Sequence, residues 1–245
     1  MVYISNRAIS TLETFRGLGR GWKCYCPMQP VDRGATLRGM QLSLLYLYAN
    51  KITDLSPLKG MPLRMLQIGA NPVSDLSPLK GAPLEEFNCS STSIHDFSPL
   101  QYAPLQRVDI SSCQAVDLAF LAQAPIEELK AARNLVDDLT PLRGKPLRKL
   151  FIAHNNVSDL SPLRGAPIDE LDVSNNPVRD VSPLLELSKL ERLKVNNLGA
   201  ALLPLRRHPS LKFIAPESGG HRPVAEFWAE YDAKQAEAQK KAGGK

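Results

Sequence analysis

Residues 63–83 read L-R-M-L-Q-I-G-A-N-P-V-S-D-L-S-P-L-K-G-A-P, and this stretch recurs along the chain every 21 residues. Pro57, Pro78, Pro99, Pro141, Pro162, Pro183 and Pro204 stand on one frame, with Phe120 in the one slot that lacks proline. Asn50, Asn71, Asn134, Asn155, Asn176 and Asn197 stand on a second, with Thr92 and Cys113 in the remaining places. A third runs through Leu45, Leu66, Phe87, Val108, Leu129, Leu150 and Leu171. Two residues on lie Leu47, Ile68, Cys89, Ile110, Ala131, Ile152 and Val173. A period of this length means stacked supersecondary units, none of which buries its apolar face alone.

Each position in the unit has a physical task. In L-x-L the two apolar residues point one way and the residue between them the other, by the alternation of a strand. Successive strands then pair in parallel. The Asn sits where the chain leaves the strand, and an inward carboxamide there satisfies backbone groups of its own turn and the neighbouring one. Ser56, Ser77, Ser98, Thr140, Ser161 and Ser182 precede the prolines, which predicts an N-cap before Pro at N1 of a helical turn. Gly60, Gly81, Gly144 and Gly165 supply a left-handed stop. The Asp54, Asp75, Asp96, Asp117, Asp138, Asp159 and Asp180 series reads as turn capping, not as paired acids or a calcium site.

This pattern resembles the leucine-rich-repeat superfamily, with its signature L-x-x-L-x-L-x-x-N-x-L. The half unit Asp75-Leu76-Ser77-Pro78-Leu79 is similar to the internalin-type branch, and residues 54–63 to arrays in large planctomycete-type bacterial proteins. The resemblance implies an α/β solenoid, with a parallel sheet on the concave face and short helical turns on the convex one.

The expected layout is a solenoid over residues 1–218 of about ten units, a capping helix over 219–232, and a disordered tail over 233–245. Val2 and Ile4 supply a first strand, and Cys24 and Cys26 fall on the inward positions of a second. Nothing in the sequence marks an N-terminal cap. At the other end Val224, Phe227, Trp228 and Tyr231 recur at helical spacing and suit a cover for the last unit.

Chemistry is scarce. Cys24, Cys26 and Cys89 fall on inward apolar positions and Cys113 on the Asn position, so all four read as buried thiols, with Cys89 and Cys113 in different rows. His95, His154, His208 and His221 are scattered, and no glycine-rich phosphate loop or kinase motif is present. No catalytic residue, metal or cofactor is expected. The net charge of +5 sits at the ends: residues 41–205 carry 16 basic and 18 acidic groups. That argues against a nucleic-acid groove. No apolar run approaches the ~18–20 residues of a membrane span, and the opening residues lack the layout of a signal peptide, so a cytoplasmic location is expected.

The variable positions are those facing outward from the strands. The middle row reads Tyr25, Tyr46, Gln67, Asn88, Asp109, Lys130, Phe151, Asp172, Lys194. The row before it includes Leu44, Met65 and Lys149; the row after it begins with Tyr48 and is otherwise small. Tyr25, Leu44, Tyr46, Tyr48 and Met65 form one apolar patch, and Phe151, with Lys130, Lys149, Asp172 and His154 around it, a second anchor. Rigid tyrosines are good interface residues. They also serve as ordinary cross-strand neighbours. The expected function is a non-catalytic scaffold binding a protein partner on the concave face. The alternative is a fragment or subunit of a larger bacterial protein, kinase-linked or at the surface, whose N-terminal edge packs on another chain, including a second copy.

Overall fold

A computed structural model describes Val2–Tyr3 and residues 41–196, 199–216 and 220–243. Among the described residues ten parallel strands form an open sheet in chain order: β1 (Val2–Tyr3), β2 (Leu44–Tyr46), β3 (Met65–Gln67), β4 (Glu86–Asn88), β5 (Arg107–Asp109), β6 (Glu128–Lys130), β7 (Lys149–Phe151), β8 (Glu170–Asp172), β9 (Arg192–Val195) and β10 (Phe213–Pro216). A short β11 (Arg222–Pro223) closes the C-terminal edge antiparallel to β10. The helix α1 (Val224–Gly243) follows. From β2 to β8 the register advances by one unit per strand, as in Leu45↔Leu66 and Leu66↔Phe87.

The inward strand residues from Leu45 and Leu47 through Leu193 and Val195 are buried and form one continuous apolar column with Leu55, Leu76, Leu118, Leu139 and Leu160 from the opposite wall. Strands of three residues hold because each pairs on both sides and buries its centre. No unit closes the core without its neighbours.

Val2 pairs with Leu45 and Tyr3 with Tyr46. The strand expected through Cys24 and Cys26 lies outside the described residues. The place beside β2 that the repeat frame assigns to it belongs to β1.

The convex side carries 3-10 turns of the form Ser56–Leu58 in each unit from β2 to β8, lengthened to Ser182–Glu186 in the last of these and followed by Gly199–Arg207 in the next unit. Here the capping expectation is corrected. Serine lies inside the turn and makes no side-chain cap. The aspartate two residues earlier does the capping: Ser77 N–H donates to Asp75 Oδ1 at 2.7 Å, and Ser77 Oγ donates back to Asp75 Oδ2 at 2.7 Å. A 3-10 turn is too short to present the free amides that an α-helical N-cap serves, so the Asx geometry prevails.

The exit from these turns follows the glycine pattern. Lys59 at φ −57°, ψ 126° followed by Gly60 at φ 75° is a type II arrangement, which needs a left-handed second residue. Where Tyr102 and Gln123 replace glycine, the preceding Gln101 (φ −52°, ψ −29°) and Ala122 (φ −56°, ψ −31°) turn right-handed. That flips the central peptide, and the Ala122 carbonyl accepts a bond from Lys145 Nζ at 2.5 Å.

The terminal helix differs from the expected extent. It begins at Val224 and continues to Gly243, so residues 233–243 are helical where a tail was expected. Residues 233–242, A-K-Q-A-E-A-Q-K-K-A, are rich in strong helix formers, and Lys234 pairs with Glu230 at 2.8 Å one turn back.

Candidate functional site

The concave surface is the outer face of β1–β10. Leu44, Tyr46 and Met65 are half-buried at its N-terminal end, and Tyr48 is 49% exposed. Tyr25 lies outside the described residues. The register instead places Tyr3 opposite Tyr46, at the position the sequence frame assigned to Tyr25. Tyr48 lies over Gly69, just past the end of β3: a Cβ at position 69 would stand 2.8 Å from Tyr48 Cε2 and 2.9 Å from Asn88 Oδ1. Glycine is thus the residue that lets the tyrosine ring settle across the sheet.

Farther along, the charged rows neutralise themselves. The row of Glu86, Arg107, Glu128, Lys149, Glu170 and Arg192 alternates in sign at every strand. Arg107 pairs with Glu86, and Lys149 with Glu170 at 3.8 Å. Lys130 Nζ reaches Glu128 at 3.2 Å, and Lys194 reaches Asp172 at 3.8 Å. Opposite charges directly across a strand pair attract, while like ones would repel. The alternation is therefore explained by the sheet itself.

The middle-row acceptors are also engaged. Asn88 Oδ1 accepts from Ser90 N and Oγ, both at 2.9 Å. Asp109 Oδ1 accepts from Ser111 N at 3.0 Å, and Asp172 Oδ1 from Ser174 Oγ at 2.6 Å. The small third row makes this folding-over of side chains possible. Gln67, Asn88, Asp109 and Lys130 border a shallow depression of about 160 Å³. Phe151 is half-buried between Lys130 and Asp172 in register. The two anchors are thus separate: an aromatic and aliphatic end on β2–β3, and a single phenylalanine on β7.

Away from this face, Cys89 and Cys113 are free and buried. Although they belong to different rows, their sulfurs lie 3.8 Å apart. The signal was present in the spacing: a corner side chain reaches the residue 24 positions earlier, as Asn134 reaches Ile110. His208 is buried and structural, its Nε2 3.0 Å from the Leu184 carbonyl oxygen. His95 and His154 are exposed. Among the described residues no three His, Cys, Asp or Glu side chains converge as a metal-binding group, and no helix is long and apolar enough to cross a membrane.

No protein-family model matches the chain, and no curated protein does. Solved structures do. The chain is similar to internalin C2 of Listeria monocytogenes at 25% identity and TM-score 0.65, over 77% of this chain and 87% of that one. It is similar to the functional domain of InlJ from the same species, which includes a cysteine ladder, at 22% identity and TM-score 0.54, over 72% and 44%. The ectodomain of the plant receptor kinase GASSHO1/SCHENGEN3 from Arabidopsis thaliana, solved in complex with Casparian strip integrity factor 2, matches at 15% identity and TM-score 0.51, over 71% and 27%.

Proposed function

Starting from an internalin-like leucine-rich-repeat solenoid, we propose that this chain is a non-catalytic interaction scaffold whose concave face binds a protein partner. One observation carries the reading. Along that face most of the charges are paired within the sheet, while Leu44, Tyr46, Tyr48 and Met65 present apolar surface at one end. Tyrosine anchors contribute large contact area at little cost in rotamer freedom, and truncating such an anchor commonly costs ~2 kcal/mol or more of binding. The plant ectodomain's complex with its factor is a precedent for the fold serving this role.

The test compares two double variants in capture experiments. Tyr46→Ala/Tyr48→Ala removes the anchors, and Lys80→Ala/Arg143→Ala alters the convex side. Loss of a bound protein with the first pair only, at unchanged circular dichroism, supports the reading; equal capture by both variants refutes it. A second reading follows from β1, on whose outer edge no strand pairs among the described residues. An open edge offers backbone groups to another chain. A molecular mass that rises with concentration in size-exclusion chromatography would favour that reading, and a constant monomer mass would sink it.

A further inference from the structure

The asparagine row is broken at two successive units, and the chemistry placed there is of a different kind. Elsewhere the carboxamide ties its own unit to the preceding one: Asn71 Nδ2 donates to Ile68 O at 2.9 Å and to Leu47 O at 2.8 Å. At the break, Thr92 Oγ1 donates to Cys89 O at 2.7 Å, and Cys113 Sγ donates to the same oxygen at 3.0 Å. The sulfurs of Cys113 and Cys89 are 3.8 Å apart, in van der Waals contact. The corner that holds Cys113 is also unlike any other described. Ser112 at φ 58° and Gln114 at φ 57° flank it, so two non-glycine residues are left-handed where each other corner has one. Strain concentrated at one place is a mark of function.

We propose that Cys89 and Cys113 are a redox-responsive pair that closes to a disulfide under hydroperoxide and staples these two units together. The sulfurs need to approach by ~1.8 Å to reach bonding distance. The Cys89 carbonyl keeps its bond from Thr92 when the Cys113 thiol proton is lost, so closure leaves no buried acceptor bare. Burial pushes the Cys89 thiol up, while the hydrogen bond shared with Cys89 lowers the Cys113 thiol to about 7, so the Cys113 sulfur is the one that attacks the peroxide first. Cys113 takes the distal oxygen of the peroxide, forming a sulfenic acid and breaking the O–O bond, with one water (or alcohol) released. Cys89 sulfur then attacks the sulfenic sulfur; the S–O bond breaks, and the hydroxyl leaves as water with the Cys89 proton. Two thiols lose two electrons in total, and one peroxide gains them.

The test uses the full chain, first reduced, then treated with hydrogen peroxide, denatured and alkylated. Trypsin cuts after Lys80, Arg107 and Lys130, so the two cysteines fall in separate peptides, 81–107 and 108–130. The expected product is these peptides joined, two hydrogens lighter than their sum, and separated by dithiothreitol. The thermal midpoint should rise by several degrees on oxidation, because the link removes freedom from the unfolded chain. Cys113→Asn, which restores the residue common at that position, should fold and show neither effect. Free alkylatable thiols in both peptides, sulfinic acid without a cross-link, a link to Cys24 or Cys26 instead, or cross-linking only in denaturant would each overturn the proposal.

Discussion

Asn134 Nδ2 donates to the carbonyl oxygen of Ile110, 24 residues and one full unit earlier, at 2.9 Å. The same group donates to Ala131 O at 3.0 Å, while its Oδ1 accepts from Cys113 N and Ala115 N, each at 3.0 Å. One buried side chain therefore serves four backbone groups across two units. The arrangement repeats at Asn155, bonded to Ala131 O, and at Asn176, bonded to Ile152 O. The ladder ties each corner to its neighbour alongside backbone bonds such as Arg133 N to Ala153 O at 2.8 Å.

Asn134→Ala should accordingly be among the most damaging single changes in the solenoid. It strands buried amides and carbonyls that each cost ~1–3 kcal/mol when unpaired. We expect a loss of about 3 kcal/mol in urea unfolding, and at least as much for Asn134→Asp, which cannot donate to Ile110 O when ionised. A loss under 1 kcal/mol for either variant would show that the ladder is dispensable.

Gly69→Ala tests the seat of Tyr48. The new methyl would meet the Tyr48 ring at 2.8 Å and the Ser90 carbonyl oxygen at 3.0 Å. The ring has to lift off the sheet, and destabilisation of about 1–2 kcal/mol is expected from such overpacking. Adding Tyr48→Ala removes one of the clashes, so the double variant should recover part of the loss. Additive effects in the cycle would mean that the two residues do not share this contact.

Arg133 is exposed with φ 58°, in the left-handed region that side chains pay to enter. That conformation costs a non-glycine residue ~1–2 kcal/mol, partly offset in a glycine variant by the greater freedom of its unfolded chain. Arg133→Gly should therefore stabilise by about 0.5 kcal/mol, read as a higher urea midpoint at unchanged slope. A lower midpoint would mean that the arginine side chain contributes more than its backbone strain removes.

Why some of this was legible and some was not follows from distance along the chain. The inward rows could be read because burial follows strand alternation and repeats every 21 residues, as Leu66 and Ile68 show at zero exposure. The Asn ladder could be read because a buried carboxamide at a corner must find backbone partners. The meeting of Cys89 and Cys113 joins a strand position to a corner 24 residues on, an offset that a search along equal rows passes over. The outward rows of the concave face were legible as positions, but not as paired charges. Glu86 and Arg107 look equally solvated or functional until the strands are laid side by side. The aromatic patch kept Tyr46 and Tyr48, and the register of β1 brought Tyr3 to the place assigned to Tyr25. Pairing at the end of an array is decided by which segment docks, and repeat likeness alone does not decide that.

The aspartate caps predict the direction of acid sensitivity. Hydrogen bonds from Ser56, Ser98, Thr140, Ser161 and Ser182 hold Asp54, Asp96, Asp138, Asp159 and Asp180 below the ordinary carboxyl value of 3.8. A folded-state value lower than the unfolded one means that the unfolded chain binds more protons through this range. Stability is then fully present above about pH 4 and is lost as pH falls through the folded values. The urea midpoint should decline as pH drops from 4.5 to 2.5, less steeply in Asp159→Asn than in the native chain. These groups are exposed, so solvent keeps each effect small. A flat native profile, or an unchanged slope in the variant, would contradict the capping role.

The C-terminal cover offers a prediction with an internal control. Phe227 and Trp228 on α1 are buried against the last unit, beside Leu211 and Ile214. Arg206 lies 5.6 Å from the Trp228 ring centroid and forms a two-point ion pair with Asp232, at 3.1 and 2.5 Å. The helix is thus held by apolar burial on one side of the indole and by a guanidinium clamp on the other. Trp228 Nε1 is buried and has no hydrogen-bond partner, so the indole contributes through its area and not through its N–H. Trp228→Ala should cost about 3–5 kcal/mol, as for large aromatic truncations in cores. Trp228→Phe, which keeps an aromatic ring under Arg206 and removes an unpaired donor, should cost under about 1.5 kcal/mol. Hydrogen exchange locates the effect. In Trp228→Ala, β10 and β9 should lose protection first, while β4 to β7 keep theirs, because each unit is stabilised by its nearest neighbours. Uniform loss across all strands would mean that the solenoid unfolds as one block, and equal costs for the two substitutions would mean that the indole N–H matters after all.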